Sequence, residues 1–278
     1  MNKNDQRIKF SVSMCVYGKD NPTWFKVAIE SILNQSIIPN EVVLVVDGPI
    51  SKELEEVISI YEQKSIFKII RLSKNMGHGI ARKIGLMNCS NNLVAIMDSD
   101  DISVFNRFEQ QLNAFMKDEQ LSVVGGQITE FIDNIDNVIG KRIVPLLDKE
   151  IKQYLKKRCP MNLVTVMFKK NDIEKVGGFI DWYCEEDYYL WIRMYLSDMK
   201  FLNINDNLVN VRVGKEMYNR RGGLKYFKSE KKLQKYMLHN HIINHFTYLN
   251  NVMKRFVVQV LLPNRIRGFI FKKFARKK

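Results

Sequence analysis

The nine residues Leu93-Val94-Ala95-Ile96-Met97-Asp98-Ser99-Asp100-Asp101 decide the fold class of this chain. Five apolar residues in a row, with β-branched Val94 and Ile96 among them, suit a strand buried on both faces, as in a parallel sheet. Three carboxylates follow at once. Toward the N-terminus three more runs of this kind occur, Phe10 to Tyr17, Val42 to Val46 and Phe67 to Leu72. Between them lie segments of helical period, roughly Thr23 to Asn34, Lys52 to Gln63 and Ile80 to Met87. Strands alternating with helices predict an α/β fold with a mainly parallel central sheet flanked by helices.

In open parallel sheets, ligands collect in the crevice outside the carboxyl ends of the strands. The polar residues fall there: Tyr17, Lys19 and Asp20 after the first strand, Asp47-Gly48 after the second, Ser73 to Gly79 with Arg82 after the third, and the acidic run after the fourth. Asn21-Pro22 is a helix start, with Asn as cap and Pro in the first turn. Trp24, Val27, Ala28, Ser31 and Ile32 are the stripe expected to pack on the sheet. Farther on, Ser122 to Val144 reads as a strand and hairpin turning at Asp133 to Asn137. Asp148 to Lys157 reads as a helix, Thr165 to Phe168 as a strand, and Glu185 to Leu196 as a helix after Gly177-Gly178.

Asp98 and Asp100 stand two apart, so in an extended backbone their carboxylates point the same way and can meet one cation. Carboxylate oxygens suit Mg²⁺ or Mn²⁺, and two of them leave coordination positions for water and diphosphate oxygens. The same acids also suit a solvated turn, or a cap in which Asp100 or Asp101 starts a helix near Val104. Asn75 to Arg82 presents Gly-rich backbone at a helix start, with Arg82 as a phosphate partner. Its glycine spacing and its place after the third strand do not fit a dinucleotide fingerprint. Asp187 leads the stripe Leu190, Trp191 and Met194, where crowding by Glu185 and Glu186 and partial burial would suit a general base. On the surface, the three acids would only complement a helix dipole.

The formal charge of +14 is unevenly placed. Residues 212 to 278 hold 18 Lys/Arg against Glu216 and Glu230, leaving the preceding residues near neutral. A basic C-terminal module on an ordinary body argues against a protein that coats nucleic acid. Arg220-Arg221-Gly222-Gly223 leads into a Lys-rich helix expected from Leu224 to about Ile243. From Val252 onward Phe256, Val260, Ile266, Phe269, Ile270, Phe271 and Phe274 mix with nine Lys/Arg and no acid, broken at Pro263. That mixture suits an anionic membrane surface, or a basic helix packed on the body. Cys15, Cys89, Cys159 and Cys184 form no CxxC pair, which fits a reducing cytoplasm. Neither an export signal nor an apolar run near the roughly 20 residues of a membrane span is read.

The ordered set SVSMCVYGKD, AIESILNQSIIPNEVVLVVDG, NMGHGIARKIGL, AIMDSDD, NRFEQQ, VGGF and EEDYYLWIRM resembles glycosyltransferase family 2 over roughly residues 10 to 226. The resemblance is notably to the small bacterial enzymes that build capsular, exopolysaccharide or lipopolysaccharide sugars. The resemblance implies a GT-A fold with a Rossmann-like, mainly parallel central sheet over residues 1–215, with a nucleotide-sugar half of about 1–101, an acceptor half of about 102–215, and a helical basic extension over 216–278. It further implies that Tyr17, Asp20 and Asp47 hold the base and ribose of a nucleotide diphosphate sugar, a UDP-sugar above all. Asn75 and Arg82 would lie beside the donor, Asp98 and Asp100, a DXD motif, would serve ribose and metal, and Asp187 would deprotonate a saccharide or lipid-linked acceptor. The cysteines and the basic tail together read as a cytoplasmic setting, peripheral on the inner face of the cell membrane. Phe105 stands where relatives often have Pro, and Leu163-Val164 where His-Pro is common. The competing readings are a sugar-nucleotide nucleotidyltransferase, for which Val16 to Lys19 is a short phosphate loop, and a non-enzymatic binder of membrane or nucleic acid, which leaves the converging aspartates unexplained.

Overall fold

The computed structural model describes residues 8–214 and 222–263. Strands β1 (Phe10–Val16), β2 (Glu41–Val46), β3 (Phe67–Arg71) and β4 (Leu93–Met97) are parallel and lie in the order β3-β2-β1-β4. Helices α1 (Pro22–Leu33), α2 (Lys52–Glu62) and α3 (His78–Asn88) join them. The chain runs outward from β1 to β3 and then returns to the other side of β1, so the switch point lies between β1 and β4. Register places the loops that matter side by side. Val16 pairs with Val46 and Met14 with Met97, so Tyr17, Asp47 and Asp98 leave one edge of the sheet together.

Asn21 caps α1 as expected, accepting from the Thr23 and Trp24 amides at 2.9 and 3.1 Å. The packed face differs from expectation: Phe25, Ala28, Ile29 and Ile32 are buried, while Trp24 and Val27 are exposed. The stripe is turned by one position, and Trp24 instead stacks on the guanidinium of Arg212 at 4.6 Å.

Gly48 makes the turn after β2, at φ +87°. A Cβ there would lie 2.4 Å from the Asn75 amide nitrogen, which is backbone and cannot step aside. Gly48→Ala is therefore expected to cost more than the roughly 1–3 kcal/mol of a strained backbone alone and to displace the Asn75 loop. A lowered urea midpoint measures the first effect; faster hydrogen exchange of the Met76 and Gly77 amides, which bond to Asp47, measures the second.

After β4 come the two-residue strand β5 (Ile102–Ser103) and helix α4 (Arg107–Lys117). Next are β6 (Leu121–Phe131), β7 (Val138–Arg142), α5 (Asp148–Leu155), a 3-10 turn (Leu163–Thr165), β8 (Met167–Lys169), α6 (Lys170–Lys175), α7 (Glu186–Leu196) and β9 (Lys200–Arg212). The sheet continues from β4 as β8-β6-β9-β5, with β7 on β6; β4-β8, β8-β6 and β9-β5 are antiparallel and β6-β9 is parallel. The helix expected near Val104 starts at Arg107, because β5 intervenes and pairs with β9. Asp98 to Asp101 form a turn between β4 and β5, so strand alternation does not set the directions of their carboxylates.

Arg107 sits fully buried where the parallel and antiparallel parts of the sheet meet. It donates to the Ile96 carbonyl at 2.7 Å, the Val166 carbonyl at 3.4 Å and Gln111 Oε1 at 3.2 Å. One turn on, Gln111 donates to the carbonyls of Val124 and Thr165, both at 2.8 Å. The i, i+4 pair on α4 thus ties the end of β4 to β6 and to the lead-in of β8.

Helices α8 (Leu224–His239) and α9 (His245–Phe256), with a π turn (Val257–Leu261), pack on this body. Leu233, Met237, Ile242 and Ile243 share a core cluster with Leu190, Trp191, Ile151 and Leu155. The Lys-rich helix ends at His239 instead of Ile243, because His241 takes φ +57° and Asn244 caps a new helix by accepting from the Thr247 amide at 2.8 Å. Arg220, Arg221, Ile266, Phe269, Ile270, Phe271 and Phe274 lie outside the described residues.

Candidate active site

The switch-point crevice is assembled by hydrogen bonds between loops distant in sequence. Asp47 accepts from the backbone amides of Met76 at 2.6 Å and Gly77 at 3.0 Å, one on each oxygen, and Asn75 donates to the Asp47 carbonyl at 3.3 Å. Asp47 therefore shapes the loop that carries Asn75. Across the switch point, Asp20 accepts from the Tyr17 amide at 3.1 Å and from the Ser99 hydroxyl at 2.8 Å, which joins the first loop to the acidic turn. Burial pushes the Asp20 carboxyl up, against the pull of these two donors. Tyr17 lies edge-on to His78, with ring centres 6.0 Å apart.

Arg82, buried on α3, reaches two carboxylates. Nη2 meets Asp98 Oδ1 at 3.0 Å and Nη1 meets Glu186 Oε1 at 2.7 Å. Burial works against its charge, but Asp98 and Glu186 outweigh that cost and raise its pKa. Burial raises Glu186, with Arg82 opposing. The β4 turn, α3 and the start of α7 are thereby locked together. Asp98 keeps Oδ2 free of hydrogen bonds among the described residues.

Asp101 is not a helix cap. Buried, it accepts from the Arg212 amide at 2.8 Å, and burial with the neighbouring Asp100 and Asp98 raises its pKa well above the carboxylate range. The Arg212 guanidinium lies 4.6 Å from the Trp24 and Phe131 ring centres and donates to the carbonyls of Asp100 at 3.2 Å and Asp133 at 2.8 Å. One side chain from the end of β9 thus holds the backbone of the acidic turn.

Asp187 stands in the first turn of α7, and the stripe behind it, Leu190, Trp191 and Met194, is fully buried as expected. Its Oδ1 accepts from the Tyr188 amide at 2.7 Å and its Oδ2 receives the Cys159 thiol at 3.6 Å. No lysine or arginine among the described residues pairs with it. Glu185 turns the other way, toward Glu230 and Tyr226, and its carboxyl is raised well above its usual range by burial and by Glu230. The three acids at the head of α7 therefore have three different surroundings. The structure brings Tyr17, Asp20, Asp47, Asn75, Arg82 and Asp98 into one hydrogen-bonded edge; Asp187 joins it through its neighbour Glu186.

The chain matches the model of Glycosyl transferase family 2 over residues 11–177. The chain belongs to glycosyltransferase family 2. Over 275 residues it is 38% identical to an Escherichia coli protein named UDP-Gal:alpha-D-GlcNAc-diphosphoundecaprenol beta-1,3-galactosyltransferase, covering 99% of each chain. It is 32% identical over 268 residues to the amylovoran biosynthesis glycosyltransferase AmsE of Erwinia amylovora, covering 95% of this chain and 98% of that one. A solved mannosyltransferase of Pyrobaculum calidifontis, in complex with GDP-Man and Mn²⁺, superposes with a TM-score of 0.63 at 12% identity, covering 95% of this chain and 72% of that one. That likeness speaks to the GT-A fold, as expected from the resemblance. The enzyme is a glycosyltransferase, and the nucleotidyltransferase and non-enzymatic readings give way to this placement. Among the described residues no helix is long and apolar enough to cross a membrane.

Proposed function

We propose that the enzyme transfers a hexose from a UDP-sugar to a lipid-linked saccharide in the assembly of a bacterial surface polysaccharide, with inversion at the anomeric carbon. The observation that carries this reading is the Asp98–Arg82–Glu186 bridge, which fixes the switch-point crevice against the head of the helix that bears Asp187. The full-length relative named for a UDP-sugar donor and a diphosphoundecaprenol-linked acceptor supports the substrate classes. Tyr17, Asp20 and Asp47 line the base and ribose, and Asn75 and Arg82 flank the donor. Asp187 takes the proton of the acceptor hydroxyl. The acceptor oxygen then bonds to the anomeric carbon as the bond to the diphosphate oxygen breaks, its electron pair leaving with the nucleoside diphosphate. Residues 1–101 make the donor half, 102–215 the acceptor half, and 216–278 the basic extension that holds the enzyme peripherally on the cytoplasmic face of an anionic membrane.

Asp98 and Asp100 suit a divalent cation as a partial ligand set. Asp98 Oδ2 is open, both are hard oxygen donors, and no group of three His, Cys, Asp or Glu side chains among the described residues is placed to hold a metal alone. Donor oxygens and water would complete the sphere, and Mn²⁺ or Mg²⁺ there would offset charge developing on the departing diphosphate. Transfer from a panel of UDP- and GDP-sugars is expected with Mn²⁺ or Mg²⁺, and to disappear in EDTA and in Asp100→Ala. Transfer that persists undiminished in EDTA refutes the metal; transfer from no nucleotide sugar refutes the function.

A further inference from the structure

Helix α9 and its π turn bury polar residues while a stripe of large apolar ones faces out, which a helix packed on a protein in water does not need. The most buried positions are polar, beside the partly buried Tyr248, which packs on the core cluster of α7, and Phe256, whose ring lies 5.3 Å from that of Phe227 on α8. Asn251 donates to Gln234 Oε1 at 2.9 Å and to the Lys156 carbonyl at 3.0 Å; Arg255 donates to the Lys157 carbonyl at 2.9 Å and pairs with Glu230 at 2.8 Å; the Gln259 amide donates to Glu230. Asn251 and Gln259 are the buried residues of the segment. The outward side carries Phe246, Leu249, Met253, Val257 and Leu261, exposed by 78, 64, 63, 38 and 60%. At about 100° per residue the first four fall within roughly 80° of one another, and Asn251 and Arg255 fall on the far side. Single exposed apolar residues need no explanation, but a stripe of five does.

Charge limits what can cover the stripe. From Lys231 to the C-terminus the chain has twelve Lys/Arg and no Asp or Glu. Lys231, Lys232, Lys235 and Lys254 are exposed on α8 and α9. Lys149, Lys156 and Lys157 line a cavity of about 610 Å³ beside Thr247 of α9, with Glu150 the one acid in its wall. A second copy of the chain would bring cations against cations. An anionic bilayer matches both features, since apolar side chains enter the acyl boundary while lysines stay at the phosphates.

We propose that α9 and its π turn form an interfacial helix on which the enzyme lies against an anionic lipid bilayer, inserting Phe246, Leu249, Met253, Val257 and Leu261. The inference deepens the membrane reading of the extension and rests on it. It also orients the active site. Helix α8 carries Ser229, which accepts from Trp182 and donates to the Tyr183 carbonyl, and Tyr236, whose ring packs at 5.0 Å on Tyr189 of α7. A docked α9 is thus fixed relative to Asp187 by packing.

The test compares the full chain with Phe246→Ser/Leu249→Ser/Met253→Ser by cosedimentation with vesicles of phosphatidylethanolamine and phosphatidylglycerol, and of phosphatidylcholine alone. The wild type is expected on the anionic vesicles, and the triple variant is expected to bind them at least about tenfold more weakly with an unchanged unfolding midpoint. A wild type that ignores anionic vesicles overturns the membrane reading and this inference with it. A variant that binds them as tightly as wild type overturns the α9 face alone. A wild-type dimer that the triple variant dissociates, without vesicle binding, gives the stripe to a second copy and overturns the proposal.

Discussion

Asp187→Asn is expected to lower the rate of sugar transfer by about 10²- to 10⁴-fold, the range that a positioned general base contributes. Nucleotide-sugar binding and folded stability should change little. The amide keeps the size of the side chain and can still accept from the Tyr188 amide, so α7 has no reason to move. What it loses is the ability to take a proton. Glu186→Gln is the informative companion, because Glu186 is engaged by Arg82 and its loss should show in donor binding and stability. Single-turnover rates with saturating donor separate the two. If Asp187→Asn transfers at the wild-type rate, the base lies elsewhere.

Arg82→Met is expected to destabilise the fold by about 3–5 kcal/mol, read as a shift in the urea midpoint, and to abolish activity. Arg82 and Glu186 have side chains only 10 and 14% exposed, so removing the cation leaves a carboxylate with little water to turn to. Asp98 is less enclosed and contributes less to the loss. Arg82→Lys should fall between wild type and Met, since one ammonium cannot span two carboxylates as a planar fork does. Equal stability of Arg82→Met and wild type would show that the bridge is dispensable to the fold.

The first half of the fold was legible because its cues are local. Four apolar runs, the Asn21-Pro22 cap and the intervening helical periods each sit within a dozen residues, and the structure places β1 to β4 and α1 to α3 there. Strand β9 was missed because Asn203, Asn207 and Asn210 interrupt its apolar alternation. Their side chains bond within the sheet: Asn203 donates to the Pro145 and Pro160 carbonyls, and Asn207 accepts from the Thr129 amide at 2.8 Å and donates to Asn210. Nothing in a short window distinguishes an asparagine bonded in this way from one in a loop.

The site divides along the same line. Tyr17, Asp20, Asp47, Asn75, Arg82 and Asp98 could be assembled from sequence because each follows a strand, and strand ends converge in a parallel sheet. Glu186 and Arg212 could not, since their partners are 104 and 111 residues away. Asp101 was read as a cap for want of Arg212, and Trp24 as core for the same reason. The one available signal was NRFEQQ, in which Arg107 and Gln111 are spaced to share a helix face; what they tie together became visible only with the sheet order.

Arg107 has a consequence for how the molecule comes apart. It is a cation with no carboxylate at ion-pair distance among the described residues, and its guanidinium donates to carbonyls at the end of β4 and before β8. If β1 to β4 separated from the rest, the buried guanidinium would lose its shortest hydrogen bond, to the Ile96 carbonyl at 2.7 Å, and keep only the longer contacts to Val166 and Gln111, at a cost of about 1–3 kcal/mol. A half-melted intermediate is therefore disfavoured. The chain is expected to melt as one cooperative unit, and a protease to meet the folded enzyme or the open chain, with little in between.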